Sequence, residues 1–241
     1  MSIERVGVVG AGQMGSGIAE VSARAGADVV IYEPTEELTT AGQNRITKSL
    51  ERGVSAGKIT ERERDDALAK LKFTTSLADL SDRQLVIEAV VEDEAVKAKI
   101  FAELDECITD PDAVLASNTS SIPIMKIAAA TKNPSRVLDL HFFNPVPVLP
   151  LVELITTLVT PEEAAATVEQ FAGEVCASRW CAAATGPDSS SMRCWCRTCC
   201  PRSGWRKPVL RPSKTSTRRL SPGSRIRWVR CGCPTSSGST R

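Results

Sequence analysis

The chain has 241 residues, room for one large domain or two small ones. No apolar run is long enough to cross a bilayer, and a strand candidate with Glu4 and Arg5 opens at Ile3 where a leader would stand, so a soluble cytoplasmic protein is expected. The formal charge of +1 averages two unlike parts: residues 177–241 hold 14 of the 30 Lys and Arg but one of the 29 acids, a net +13 against −12 for the rest.

In chain order, the apolar run 3–9 breaks into Gly10-x-Gly12-x-x-Gly15, and a helix is predicted over 13–25. Gly10 permits the turn, Gly12 lets backbone approach a ligand, and Gly15 allows the helix close to the strand. Gln13 and Met14 open that helix, whose N-terminus presents backbone N–H groups to a pyrophosphate. A glycine triplet alone is also an ordinary strand-to-helix turn. Here a second strand, 28–32, follows, and Glu33 ends it about 20 residues on, where a carboxylate accepts ribose hydroxyls and repels a 2′-phosphate. NAD is therefore expected over NADP. Glu33 also reads as a helix-start acid, since Pro34 and Thr35 open the next helix.

Residues 35–72 are too long for one crossover helix. Leu38, Gly42, Ile46, Leu50 and Val54 recur every four residues, Gly57 breaks the pattern, and Thr60-x-x-Glu63 reads as a capping box. This predicts an inserted helical hairpin with Arg45, Lys48, Arg52 and Lys58 on its outer face. A short strand is expected at 71–75. The apolar run 85–91, closed by Glu92, reads as a parallel strand buried on both faces. A helix over 94–108 would turn Val96, Ile100 and Leu104 inward with Lys97 and Lys99 flanking. A strand over 113–116 leads into Ser117-Asn118-Thr119-Ser120-Ser121, more small polar residues than a helix cap needs. The strand over 136–140 ends at His141.

Gly10, Glu33, Glu92, the Ser117–Ser121 cluster and His141 all stand at strand ends, which in an open parallel sheet share one crevice. In the apolar run 149–155, Glu153 is a lone carboxylate that requires a partner. His141 is the only histidine of the chain. A carboxylate behind an imidazole fixes its tautomer and stabilises its protonated form. His141 and Glu153 are therefore expected to pair, as base and orienting acid.

Gly-Ala-Gly-Gln-Met-Gly at 10–15, Ile-Glu-Ala-Val-Val-Glu at 87–92, Ser-Asn-Thr-Ser-Ser at 117–121 and His-Phe-Phe-Asn-Pro-Val-Pro at 141–147, in that order, resemble the L-3-hydroxyacyl-CoA dehydrogenases, closest to the bacterial 3-hydroxybutyryl-CoA type. The resemblance runs from residue 3 to about 175. It implies an α/β doubly wound, mostly parallel Rossmann-type sheet over 1–175 with the hairpin inserted at 35–72. It further implies NAD as cofactor, an acyl-CoA substrate, and a catalytic dyad on His141 and Glu153. Ser120 then falls on the substrate oxygen, with Asn144 in the same pocket. Glu33, Glu92 and Lys97 fall on ribose and nicotinamide contacts, and Ser49 and Lys58 on contacts to CoA. A family member continues past 175 into a helical domain carrying a further Asn and the dimer interface. Residues 176–241 are not expected to form that domain, and the interface is expected to be lost with it.

Residues 176–241 hold eight of the nine Cys and all four Trp, and show neither helical nor strand periodicity. Cys196-x-x-Cys199 with Cys231-x-Cys233 suggests a zinc module, but the spacing fits no usual site. The charge suggests a nucleic-acid arm, without a binding fold. A shifted reading frame fits better: Leu and Val codons read one base along yield Cys and Trp triplets, as in 194–200. The expectation is an unstructured basic tail with no metal, no nucleic-acid partner and no membrane contact.

Overall fold

In the computed structural model the described residues are 2–149 and 151–175, with the backbone of 181–185 and 192–196. Strands β1 (Arg5–Val9), β2 (Asp28–Tyr32), β3 (Leu71–Thr74), β4 (Leu85–Glu88), β5 (Val114–Ser117), β6 (Val137–Phe142) and β7 (Val152–Ile155) form one sheet in the order β3-β2-β1-β4-β5-β6-β7. The first six run parallel, and β7 is antiparallel to β6. Order reverses between β1 and β4, so the crevice at the strands' carboxyl ends opens there.

Alternation along the strands serves two cores. Val6, Val8, Leu85, Ile87, Leu138 and Leu140 pack under helices α1 (Gln13–Arg24), α2 (Glu36–Ser55), α3 (Glu61–Ala69) and α6 (Glu162–Val175). Val9, Val86, Leu115 and Val137 pack under α4 (Glu94–Cys107) and α5 (Ile124–Ala128). Both faces are apolar because helices cover both.

The hairpin forms as predicted. Thr60 and Glu63 make both halves of the capping box, and Gly57 takes a φ of 65° between the helices. It also rests on the glycine turn, since a Cβ on Gly42 would stand 2.4 Å from that of Ala11.

Four expectations need correction. The strand predicted at 85–91 stops at Glu88; Ala89 donates a last bond to Val9, and Val91 turns out to solvent. On α4 the buried face is Lys97, Phe101 and Leu104, with Val96 exposed, because two carboxylates neutralise the lysine and let it lie against the carboxyl end of β4. On α2 Leu38 is exposed and Thr39 buried, which moves the inward stripe by one residue at the helix start. His141 lies within β6, not past its end. The expected tail falls outside the described residues except for β8 (Cys181–Thr185) and β9 (Met192–Cys196), whose backbones pair antiparallel where no element was expected. The zinc reading, the nucleic-acid arm and the frameshift rest on residues or side chains outside those described.

Candidate active site

The cofactor end is built from backbone. Gly10 has φ +96°, and a Cβ there would meet the Ala89 carbonyl at 2.9 Å. A Cβ on Gly15 would stand 1.8 Å from the Gly10 carbonyl oxygen, so only glycine brings α1 against the turn. Gly12 has nothing within 4 Å of its Cβ position and no side chain to cap α1, which leaves space at the helix N-terminus for an anion. These features fit a dinucleotide pyrophosphate. The Glu33 carboxylate accepts from the Ala11 N–H, and Arg45, reaching back from α2, donates to the Ala11 carbonyl. Glu33 therefore stands at the glycine turn, as its spacing predicts. Gln13 is exposed and Met14 half-buried.

The opposite wall is built from side chains. The register sets His141 on β6 against Glu153 on β7, and His141 Nδ1 lies 3.0 Å from Glu153 Oε2. The Glu153 hydrogen bond holds the imidazole pKa above its ordinary value; partial burial opposes this, and the charges of Asp139, Glu153 and Glu92 reinforce it. With Nδ1 committed to Glu153, Nε2 is the nitrogen left to exchange a substrate proton. The ring stands edge-on to Phe143, centroids 4.7 Å apart.

Between these walls Glu92 organises the serine-rich turn. It accepts from Thr119 Oγ1 at 2.5 Å, Ser121 Oγ at 2.9 Å and the backbone N–H of Ser120 at 3.1 Å. Burial works against its charge, but these donors and Lys97 hold its pKa below the ordinary value. Ser120 itself is exposed. Asn118 Oδ1 accepts from the Phe142 N–H at 2.8 Å, tying this turn to β6 beside His141. Asn144 bridges the walls, its Oδ1 accepting from Gln13 Nε2 at 3.2 Å.

Lys97 is fully buried, 2.6 Å from Glu88 and 3.4 Å from Glu92. It is thus placed beneath the crevice, holding the acids that shape it. Ser49 is half-buried on α2 beside Glu20 of α1, and Lys58 is exposed just past the helix. Among the described residues, no cluster of His, Cys, Asp and Glu is placed to hold a metal ion, and no helix is long and apolar enough to cross a membrane.

Two residues of this network escape the sequence reading. Glu88 ends β4, bonded to Lys97 and to Ser117 Oγ at 2.8 Å. Asp139 lies buried on β6, accepting from the Thr119 N–H at 3.3 Å. The signal that singles out Glu153, an acid inside an apolar strand, applies to both.

Residues 5–177 match the family model for "3-hydroxyacyl-CoA dehydrogenase, NAD binding domain". The chain is 78% identical over 174 residues to a 3-hydroxybutyryl-CoA dehydrogenase of Mycobacterium tuberculosis, covering 72% of this chain and 61% of that protein. It is 45% identical over 172 residues to a probable 3-hydroxybutyryl-CoA dehydrogenase of Bacillus subtilis, covering 71% and 60%. A crystal structure of M. tuberculosis FadB2 superposes with a TM-score of 0.74 at 74% identity, over 76% of this chain and 65% of that one. The chain thus spans about three fifths of the length of these curated relatives.

Proposed function

Because this chain belongs to the 3-hydroxyacyl-CoA dehydrogenase family through its NAD-binding domain, we propose that it carries out the NAD-dependent oxidation of a 3-hydroxyacyl-CoA to the 3-oxoacyl-CoA, or the reverse reduction, with His141 as the base. The observation that carries this reading is the 3.0 Å His141–Glu153 pair in a crevice whose other wall is the glycine turn.

The nicotinamide of bound NAD supplies a hydride acceptor. All else falls to the chain. The N-terminus of α1 and the glycine turn bind the pyrophosphate, and Glu33 takes the adenosine ribose. In the oxidation His141 Nε2 takes the proton of the 3-hydroxyl, and the imidazolium so formed is stabilised by Glu153 at Nδ1. Ser120 and Asn144, on the two turns flanking the crevice, bond the substrate oxygen. Glu92 holds the Ser120 turn and lies beside the nicotinamide ribose, with Lys97 behind it. Ser49 and Lys58 of the hairpin face the CoA moiety. The substrate is of the 3-hydroxybutyryl-CoA kind for which the relatives are named, and the location is the cytoplasm.

A second reading is that the chain holds NAD and turns nothing over, its match ending at three fifths of its relatives' length. Two measurements decide. Calorimetric titration with NAD should show saturable binding, and acetoacetyl-CoA should drive loss of NADH absorbance. Binding without NADH loss favours the second reading; neither signal removes both.

A further inference from the structure

We propose that Asp139 is a positioning residue for His141: from one pleat behind it on β6, its buried carboxylate fixes the Thr119 turn against the strand and favours the imidazolium by its charge.

The placement follows from register. Glu88, Ser117 and Asp139 are paired across β4, β5 and β6, so their side chains form one row on the face covered by α4 and α5. His141 is two residues further on the same strand and the same face, about 7 Å along the chain. Asp139 is 3% exposed. Its Oδ1 takes the Thr119 N–H at 3.3 Å, while Thr119 Oγ1 donates to Glu92, so one residue connects both carboxylates.

The charges around it make an imidazolium the missing cation. Glu88 stands on β4, Glu92 on the turn before α4, Lys97 on α4, and Glu153 on β7. Opposite Asp139 itself, β7 offers the apolar Ile155. Lys97 is shared between Glu88 and Glu92. With Asp139 the cluster holds four carboxyl groups and one lysine, so protonating His141 brings it toward neutrality. Burial pushes the Asp139 carboxyl up to about 7, against which His141, the Thr119 N–H and Lys97 work to keep it ionised. Each charge therefore biases the ionisation of the other.

This inference rests on His141 as the base, but its test reads no turnover. The full chain has a single histidine, so one ring resonance reports its pKa by NMR titration. Asp139→Asn keeps an acceptor for the Thr119 N–H and removes the charge. The His141 pKa is expected to fall by about half a unit or more. An unchanged value in the folded variant overturns the proposal and leaves Asp139 an anchor for Thr119 alone. Should the variant not fold, carboxyl-carbon titration of the unaltered chain decides. One Asp carboxyl signal should shift as the His141 ring titrates, and the absence of any Asp carboxyl that responds to the ring overturns the proposal. Failure of His141 as the base would appear separately, as undiminished NADH consumption in His141→Ala.

Discussion

The glycine turn after β1 and the His141–Glu153 pair across β6 and β7 face one crevice but rest on different physics. The turn works by absence: at Gly10 and Gly15 a single added carbon would strike backbone, and at Gly12 the missing side chain leaves room for a ligand. The pair works by presence: two ionisable groups held 3.0 Å apart by strand register, each compensating the other's partial burial. The first wall is therefore intolerant of volume and indifferent to pH. The second tolerates volume better and responds to charge. A substitution can accordingly be assigned to one wall by what it disturbs.

The largest expected effect is on the glycine wall. Gly15→Val should destabilise the fold by roughly 3 kcal/mol or more, because the obstacle 1.8 Å away is the Gly10 carbonyl, which cannot move without unseating α1. Urea unfolding followed by circular dichroism measures this. A change below about 1 kcal/mol would mean that the turn has slack the structure does not show.

At the charged wall, His141→Ala should lower turnover by at least about 10²-fold in protein that shows NADH consumption, with NAD affinity nearly unchanged. A parallel loss of NAD affinity would make the two walls one unit and end the distinction.

Stability should also depend on pH through the charged wall. The folded pKa of Asp139, about 7, lies above its unfolded value, so the folded state binds the extra proton. The stability this contributes is complete below the unfolded pKa and is lost as pH rises through about 7. His141, also raised, adds a loss of the same sign above its own unfolded value. Unfolding free energy should therefore fall by on the order of a few kcal/mol between about pH 5 and about pH 8. Asp139→Asn should flatten most of that slope. An equally steep profile in the variant would place the dependence elsewhere.

The smallest effect concerns Glu33. Calorimetry should give tighter NAD than NADP binding, and Glu33→Gln should narrow the gap by about tenfold, or ~1.4 kcal/mol, by removing the charge that opposes a 2′-phosphate. Tighter NADP binding by the unaltered chain would remove Glu33 from the ribose.

What was legible in the sequence is local. The glycine turn, the capping box, the doubly buried strands and the acid needing a partner each follow from rules that act over a few residues, and the glycine spacing with Glu33 sufficed to place a dinucleotide. The pairing of His141 with Glu153 was legible as well, because a carboxylate inside an apolar run needs a partner and the chain offers one histidine, at the crevice. Tertiary structure alone decided the fate of Lys97. Helical periodicity placed it beside the inward stripe as a flanking charge, whereas Glu88 and Glu92 draw it fully inside. The row Glu88–Ser117–Asp139 belongs to the same class. Its members lie far apart in sequence on three strands, and only the register of a parallel sheet, set by connections that pass through whole helices, brings them level. A buried charge is stable only where its partners arrive from elsewhere in the chain, and the sequence around it does not record where they come from.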